Sequence, residues 1–465
     1  KALLVFGLAL AIRFAMSIPF IWKPEMSLPA YGDAIGYHRI ALNLVAGHGF
    51  SLYPNPPFIP DCFRTPGFPV VLAILYKALG PTPIWGILAN DILAAATAFL
   101  VYLVLRKRWP RGALLGGLLY AFNPLSLVYC QELMTETLFT FSLIMGLLLL
   151  FWPGWEFAWK RRTGTGRPQE QRFSWLIALG GGLCLGLAAL TRPVGLYLPA
   201  LILPFVRKRW HIALGGFAAA VLPWLLRNWI TYGFPFFSTV EWVNMAYYNG
   251  AAVVSAQRGI TLRQADIVIF NKTSEKYGWG VLAEDEDDIW AFEEDPRKWR
   301  DLARIGFGYI LKNPGLYLSE HLKGTLGLLG PVHPYRLPAV YGHNLFMQGK
   351  RLGSGPELFR LLVTKGPTAL IGKMFEGLVW WGTGFWIVAL FYQLVLYTLA
   401  LLGFIRNRRE PFAWMLALVA LYFILIPGPM AVPRMRHPAD ALLVLLAGMF
   451  LWQSRRRIEK IRPRN

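Results

Sequence analysis

The loop after the first long apolar run of this sequence contains most of the residue types that could carry out chemistry. It reads YGDAIGYHRIALNLVAGHGFS from residue 31 and RTPGFP from residue 64, and it includes Asp33, His38, His48 and Arg64. An apolar run long enough to cross a bilayer flanks it on each side, which holds the loop at the membrane surface. Since loops on a rigid scaffold commonly carry binding and catalytic residues, we expect the active site here.

Asp33 is the first candidate catalytic residue. The stretch from Gly32 to Val45 has helical spacing, which places Asp33 and Tyr37 one turn apart on the same face. A carboxylate facing water at the membrane surface is suited to act as a general base, with Tyr37 and His38 contacting or orienting an acceptor. Equally, Asp33 could serve only to cap the helix.

Glu132 and Glu136 form a second acidic position, at the start of a later apolar run. A charge at that place can simply mark the end of a span. An acidic group at the membrane edge is nevertheless unfavourable enough to count as a functional candidate. We therefore predict that Glu136 is catalytic and that Glu132 helps to orient the acceptor.

A third group consists of basic residues at the predicted outer ends of spans. Guanidinium groups match phosphate oxygens in a bidentate manner, so an outer phosphate would explain these positions. The alternative for any single arginine is that it extends to the lipid headgroups. The phosphate-binding candidates are Arg64, Arg192, Arg227, Arg434, Arg436 and His437.

Composition identifies an integral membrane protein, because 55% of the 465 residues are hydrophobic and only 16% are charged. The net charge of +21 does not indicate nucleic-acid binding, since much of it lies in short segments between apolar runs. By the positive-inside rule these segments face the cytoplasm, and the remaining loops are extracytoplasmic. The basic segments are 106–111, 160–172, 207–209, 406–409 and 455–464.

The apolar runs predict an all-α polytopic protein with about 10–13 transmembrane helices. A first module, 1–230, would contain the catalytic outer loop 23–83. Residues 231–370 would form an extracytoplasmic insertion with interfacial helices, and 371–465 the last spans with a basic cytoplasmic tail. The spans that we predict are 3–22, 84–105, 112–130, 137–153, 173–190, 193–206, 212–229, 378–404, 411–428 and 438–453.

Metal sites have little support in the sequence. The acidic residues from Glu284 to Asp295 lack the ligand order and the turn glycine of a calcium loop, which favours a solvated face. His38 and His48 are ten residues apart, a spacing that matches no recognised ligand pattern. Whether Cys62 and Cys130 pair is open.

The ordered motifs resemble a family of bacterial membrane glycosyltransferases. The chain is similar, from about residue 3 to about residue 450, to the enzymes related to protein O-mannosyltransferases and lipid A aminoarabinose transferases, which share the GT-C fold. The motifs that carry this resemblance are YGDAIGYHRIALNLVAGHGFS, RTPGFPVVLAILY, MTETLF, LTRPVGL, LPWLLRNWITYG and PRMRHPADALLVLLAG.

This resemblance implies an inverting transfer of a sugar from a polyprenyl phosphate carrier to an acceptor on the outer face of the plasma membrane. Asp33 matches the catalytic acid of the family's first loop, and Glu136 matches its second-loop acid. Ala34 stands where the eukaryotic mannosyltransferases have a further acid. Arg64 and Thr65 replace the acid and lysine of the amino-sugar branch, so no cofactor is predicted and a divalent metal is not expected.

The partners implied are a lipid-linked sugar, the bilayer, and an acceptor that is a lipid, a polysaccharide or a protein. Three other classes compete with this hypothesis. A polyprenyl-linked oligosaccharide ligase or polymerase would use similar arginines, a transporter would show broken helices or repeats, and an assembly subunit would tolerate Asp33→Asn.

Overall fold

The computed structural model describes residues 1–28, 32–160, 168–206, 209–278, 295–332 and 380–450, with a few positions between 361 and 372. In these ranges the chain is helical, and the β-structure is one isolated bridge between Ser51 and Pro60. The helices are α1 (Ala2–Trp22), α2 (Asp33–Ala46), α3 (Gly67–Leu79), α4 (Ile84–Arg106), α5 (Pro110–Ala121), α6 (Pro124–Tyr129), α7 (Glu136–Lys160), α8 (Pro168–Thr191), α9 (Leu198–Ile202), α10 (Trp210–Tyr232), α11 (Val240–Val243), α12 (Ala251–Arg258), α13 (Leu262–Tyr277), α14 (Pro296–Lys312), α15 (Pro314–Leu329), α16 (Trp380–Arg406), α17 (Pro411–Leu425) and α18 (His437–Met449).

Four helices in the described part of the chain are long and apolar enough to cross a membrane: α1, α4, α10 and, over Gly384–Arg406, α16. Five shorter apolar helical segments accompany them, including Glu136–Phe151 and Trp175–Thr191. The expected all-α polytopic membrane fold is confirmed.

Two predicted spans are not continuous helices. The run 112–130 is divided at Asn123, whose side chain accepts a hydrogen bond from the backbone of Ser126 and begins α6, with Pro124 in its first turn. The run 193–206 consists of three short helical pieces, each with a proline at its start. A proline lacks the amide that would continue a preceding helix, so hydrophobicity alone overestimates the helix length here.

Small residues allow the membrane helices to pack closely. A Cβ on Gly112 would lie 1.6 Å from the carbonyl oxygen of Gly448, and one on Gly182 would lie 1.8 Å from that of Ala213. These contacts join α5 to α18 and α8 to α10 through their backbones, as is typical of helices packed within a membrane.

The turns at two basic segments contact each other at one end of this helical body. Arg108, after α4, forms an ion pair with Glu410, before α17. The indole of Trp109 donates a hydrogen bond to the Asn407 side chain at 3.1 Å. The basic segments 160–172 and 207–209 lie partly, and 455–464 wholly, outside the described residues.

The insertion after α10 is a separate helical layer built from α11 to α14 and a π-helix, Asn244–Gly250. Its own apolar core includes Val254, Phe270 and Trp299. The acidic stretch 284–294 and most of the predicted loops after residue 330 lie outside the described residues.

Candidate functional site

Asp33 is the first residue of α2, preceded by Gly32 in a left-handed conformation with φ of +102°. The N-cap position is Gly32, so Asp33 is not the capping residue, and its Oδ2 lies 3.4 Å from Nη1 of Arg434. The side chain is 40% exposed. One carboxylate oxygen is therefore paired with a cation while the group stays accessible to an acceptor hydroxyl, as a general base must be.

Glu136 begins α7 and is almost fully buried, with a side-chain exposure of 1%. Arg192 donates a hydrogen bond to its Oε1, and Arg434 Nε lies 3.3 Å from the same oxygen. Arg192 reaches this position from the end of α8, in the extended conformation that precedes Pro193. Two arginines thus converge on one buried carboxylate.

Arg434 connects the two acids of the site. It lies in a short 3₁₀ turn, Pro433–Arg436, between α17 and α18. Burial would lower the pKa of Arg434, but the carboxylates of Glu136 and Asp33 raise it above its usual range. Arg434 is therefore a permanent cation between one accessible and one buried carboxylate.

Arg64 lies over the face of α2 on which Asp33 and Tyr37 stand. A Cβ on Gly36, three residues after Asp33, would come within 2.3 Å of the Arg64 guanidinium. The Arg64 side chain is only 11% exposed, and Nη1 lies 3.6 Å from Asp61 Oδ2. Among the described residues its buried Nε and Nη1 have no hydrogen-bond acceptor, apart from the longer Nη1 contact with Asp61.

Tyr37 is a neutral donor between these charges. Burial, followed by the nearby Asp33 carboxylate, raises the pKa of Tyr37 to about 12. The Arg64 guanidinium lies 5.8 Å from the centre of its ring. A phenol that stays protonated at neutral pH can donate a hydrogen bond to a ligand oxygen.

Arg227 supports the segment that carries Arg64. Its Nη1 donates to the carbonyl oxygen of Asp61 at 2.9 Å, and its guanidinium lies 4.8 Å from the Trp224 ring centre. Asp61 in turn accepts hydrogen bonds from the backbone amides of Phe63 and Arg64. Arg227, a predicted phosphate-binding residue, therefore contacts the protein segment that leads to Arg64.

Three predicted residues occupy other environments. Arg436 is completely buried and donates to Asp440, Gln393 and the carbonyl oxygen of Gly330. His437 is also buried and contacts Thr140 Oγ1 through Nδ1 at 2.8 Å. Glu132 and Glu136 are four residues apart, a spacing that predicts a common helical face, but α7 begins only at Glu136 and Glu132 precedes it.

The two histidines of the first loop contact aromatic side chains. His38 Nδ1 lies 3.0 Å from the Tyr76 hydroxyl, and burial, followed by the charge of Arg39, lowers the pKa of His38. His48 stacks on Phe58 at 3.9 Å between ring centres. Among the described residues, no cluster of histidine, cysteine and acidic side chains could hold a metal ion.

A buried polar network below the site was missing from the sequence predictions. Ser17 on α1 and Gln131 both donate hydrogen bonds to Asp91 on α4. The neighbouring Asn90 side chain donates to the carbonyl oxygen of Glu132 at 3.0 Å. These contacts hold the turn that leads into Glu136. Ionisable residues inside apolar runs are the signal that could have revealed them.

No family model and no curated protein sequence matches the chain. Among solved structures it is similar to the archaeal oligosaccharyltransferase AglB from Archaeoglobus fulgidus in complex with an inhibitory peptide and a dolichol-phosphate, with 15% identity and a TM-score of 0.50 over 97% of this chain. The apo form of the Archaeoglobus fulgidus oligosaccharyltransferase gives the same TM-score, identity and coverage. ArnT from Cupriavidus metallidurans bound to undecaprenyl phosphate is also similar, with 15% identity, a TM-score of 0.43, and coverage of 97% of this chain and 77% of that one.

The chain spans about half the length of the oligosaccharyltransferase, 50% by the aligned part. At 15% identity the similarity demonstrates a common fold. The expected resemblance to membrane glycosyltransferases of the GT-C fold is therefore confirmed at the level of the fold.

Proposed function

We propose that this protein is an inverting glycosyltransferase of the plasma membrane that moves a sugar from a polyprenyl phosphate carrier to an acceptor hydroxyl on the extracytoplasmic face. The observation that carries the proposal is the accessible Asp33 carboxylate held 3.4 Å from Arg434 beside Arg64. A base and several cations at one membrane-facing end of the fold suit this reaction.

The chemical step follows from these groups. The free oxygen of Asp33 accepts the proton of the acceptor hydroxyl as the acceptor oxygen attacks the anomeric carbon from the face opposite the phosphate. The bond between that carbon and the phosphate oxygen breaks, and its electron pair leaves with the polyprenyl phosphate. Asp33 then returns the proton to solvent.

The arginines have different proposed roles, because they have different partners in the protein. Glu136 pairs with both Arg192 and Arg434 and so holds the two guanidinium groups in place beside the site. Arg64, whose guanidinium lies against α2 beside Gly36, is the main candidate to bind the leaving phosphate. A well-placed donor to a developing anion contributes about 3 to 4 kcal/mol to catalysis.

The fold similarity is compatible with this donor class, since the similar oligosaccharyltransferase was solved with a dolichol-phosphate. The identity of the sugar and of the acceptor is open to experiment. The acceptor would reach Asp33 from the aqueous side, where the helices of the insertion stand.

The test is to incubate the purified protein in nanodiscs with a panel of polyprenyl phosphate sugars and candidate acceptors, and to detect released polyprenyl phosphate by mass spectrometry. We expect Asp33→Asn to lower the release rate by about 10²- to 10⁴-fold, the range typical of general bases. Asp301→Asn is the matched control, because Asp301 also pairs with an arginine, Arg304 at 3.0 Å, but on the insertion surface.

Three outcomes contradict the proposal. Wild-type release by Asp33→Asn would show that Asp33 is not the base, whereas no release by the wild-type protein with any donor would favour an assembly role. Consumption of an oligosaccharide diphosphate carrier, with none of the monophosphate sugars consumed, would instead indicate a ligase or polymerase.

A further inference from the structure

A chain of side-chain hydrogen bonds connects the insertion to the end of α17, where the connection to Arg434 begins. The chain begins in the π-helix Asn244–Gly250. Asn249 donates through Nδ2 to the carbonyl oxygen of Asn244 at 2.8 Å, which fixes the orientation of its amide. Its Oδ1 then accepts a hydrogen bond from the Tyr317 hydroxyl of α15 at 3.0 Å. A π-helix is uncommon and is often found at functional sites.

His321, one turn after Tyr317, continues the chain to the membrane helices. Its Nδ1 lies 3.1 Å from the Tyr317 hydroxyl, and its Nε2 lies 2.8 Å from the carbonyl oxygen of Leu425. A carbonyl oxygen only accepts hydrogen bonds, so Nε2 carries a proton and donates it there. The Tyr317 hydroxyl has one proton, which it donates to Asn249, so the chain is continuous when Nδ1 of His321 is protonated as well and donates to that hydroxyl. Leu425 is the last residue of α17, at the start of the connection that carries Arg434.

Two glycines bring the same connection into backbone contact with these elements. Gly428 has a φ of +75°, and a Cβ at this position would lie 2.6 Å from Asn249 Oδ1. A Cβ on Gly324 of α15 would lie 2.3 Å from the carbonyl oxygen of Gly428 and 2.5 Å from that of Pro429. The start of the connection is therefore enclosed between the π-helix and α15.

The turn that carries Arg434, Pro433–Arg436, lies at the other end of this connection. Residues 426–436 contain only two short 3₁₀ turns, so backbone hydrogen bonds of a long helix do not set their path. Tyr248, next to Asn249 in the π-helix, is within electrostatic range of both Asp33 and Arg434. The π-helix therefore borders the site as well as the connection.

We propose that Asn249, Tyr317 and His321 are positioning residues, whose hydrogen-bond chain fixes the connection 426–436 and thereby holds Arg434 between Asp33 and Glu136. The proposal rests on the proposed function, because it assigns these residues to the same site. It follows that a movement of the insertion, for example when an acceptor binds, changes the placement of Arg434.

Tyr317→Phe is the sharpest test, because it removes one hydroxyl and leaves the ring. Thr325→Val is the matched control, since Thr325 lies on the same helix and its hydroxyl donates within that helix, to the carbonyl oxygen of His321 at 2.9 Å. We expect Tyr317→Phe to lower kcat about five- to tenfold with the KM for the polyprenyl phosphate sugar unchanged. Asn249→Ala should have a similar effect, and the double variant should lose little more than either single one.

Hydrogen–deuterium exchange of peptides covering 426–436, in nanodiscs without substrate, provides a readout that does not depend on turnover. We expect at least twofold faster uptake in Tyr317→Phe than in wild type or Thr325→Val. Equal deuterium uptake in the two variants, or a wild-type kcat in Tyr317→Phe, would contradict the proposed positioning role of the hydrogen-bond chain. A wild type without turnover but with the expected exchange pattern would instead reject only the proposed function.

Discussion

The position of Arg64 depends on the absence of a side chain at Gly36. The Arg64 guanidinium fills the space where a side chain would stand, 2.3 Å from an ideal Cβ. We predict that Gly36→Ala displaces Arg64 and weakens donor binding about 10- to 100-fold, because a hydrogen bond to a charged group contributes about 1.5 to 3 kcal/mol. Titration with a polyprenyl phosphate sugar measures the effect.

Gly215→Ala is the control for that substitution. Gly215 is also within a helix, α10, but a Cβ there meets no atom within 4 Å. Both variants should retain the wild-type thermal unfolding midpoint to within a few degrees. Equal donor affinity in the two variants would argue against a phosphate role for Arg64.

Glu136 should contribute more to the stability of the protein than Glu410, which also pairs with an arginine. Removing a buried carboxylate leaves two guanidinium charges close together, so we predict that Glu136→Gln lowers the free energy of unfolding by about 3 to 5 kcal/mol. Glu410→Gln, which breaks the exposed pair with Arg108, should change it by less than about 1 kcal/mol. Thermal unfolding in detergent compares them, and similar midpoints would contradict the assigned burial.

Sequence reasoning could predict the residue types of the site but not all of their partners. Asp33 and Arg64 stand out because charged groups are rare beside apolar runs. By contrast, Arg434 and Arg436 are indistinguishable by type and position, yet the 3₁₀ turn directs one to Asp33 and the other into the core. Partners hundreds of residues apart meet only through the fold, which no local pattern encodes.

At the scale of elements, α13 contains a buried acid that makes the stability of the insertion depend on pH. Burial raises the pKa of Asp266 from 3.8 to about 8, although Arg263 opposes the shift. The folded state therefore keeps a proton that the unfolded state releases between about pH 4 and pH 8. Stability falls as pH rises through this window, and the loss is complete above the folded pKa.

We predict that Asp266→Asn removes this dependence, because an amide does not ionise. The difference in thermal unfolding midpoint between Asp266→Asn and wild type should become more favourable to the variant from pH 5 to pH 9. Glu275→Gln, an exposed position on the same helix, should follow wild type at every pH. A constant difference across this range would show that Asp266 is ionised in the folded protein.

Helix boundaries were predictable where an apolar run ends in charge, as for α4 at Arg106 and α16 at Arg406. The break at Asn123 and Pro124 is visible in the sequence as a capping residue followed by proline. The continuous hydrophobicity of 112–130 nevertheless predicted a single span. The start of α7 at Glu136 was predicted to within one residue, as the beginning of the span 137–153. The contacts of the turn before it were not, because Asn90 and Asp91, which bond to that turn, lie some forty residues earlier in the chain.

At the scale of the whole molecule, the helices separate basic turns from catalytic groups. The turn after α4 meets the turn before α17 through Arg108 and Glu410. The site instead forms where α7 begins, where α8 ends and where α18 begins. Each of these helices leads away from the site towards the other end of the body, which is the arrangement that the positive-inside rule predicts for an extracytoplasmic active site.

Cysteine labelling tests this orientation directly. We predict that a membrane-impermeant maleimide labels Gln257→Cys, on the exposed surface of α12, in intact cells, and labels Arg409→Cys only after the membrane is permeabilised. Wild type supplies the background, which should be small because Cys62 and Cys130 are buried and Cys184 is half-buried. Labelling of Arg409→Cys in intact cells would invert the topology and place Asp33 on the cytoplasmic side, where an outward-facing lipid-linked sugar could not reach it.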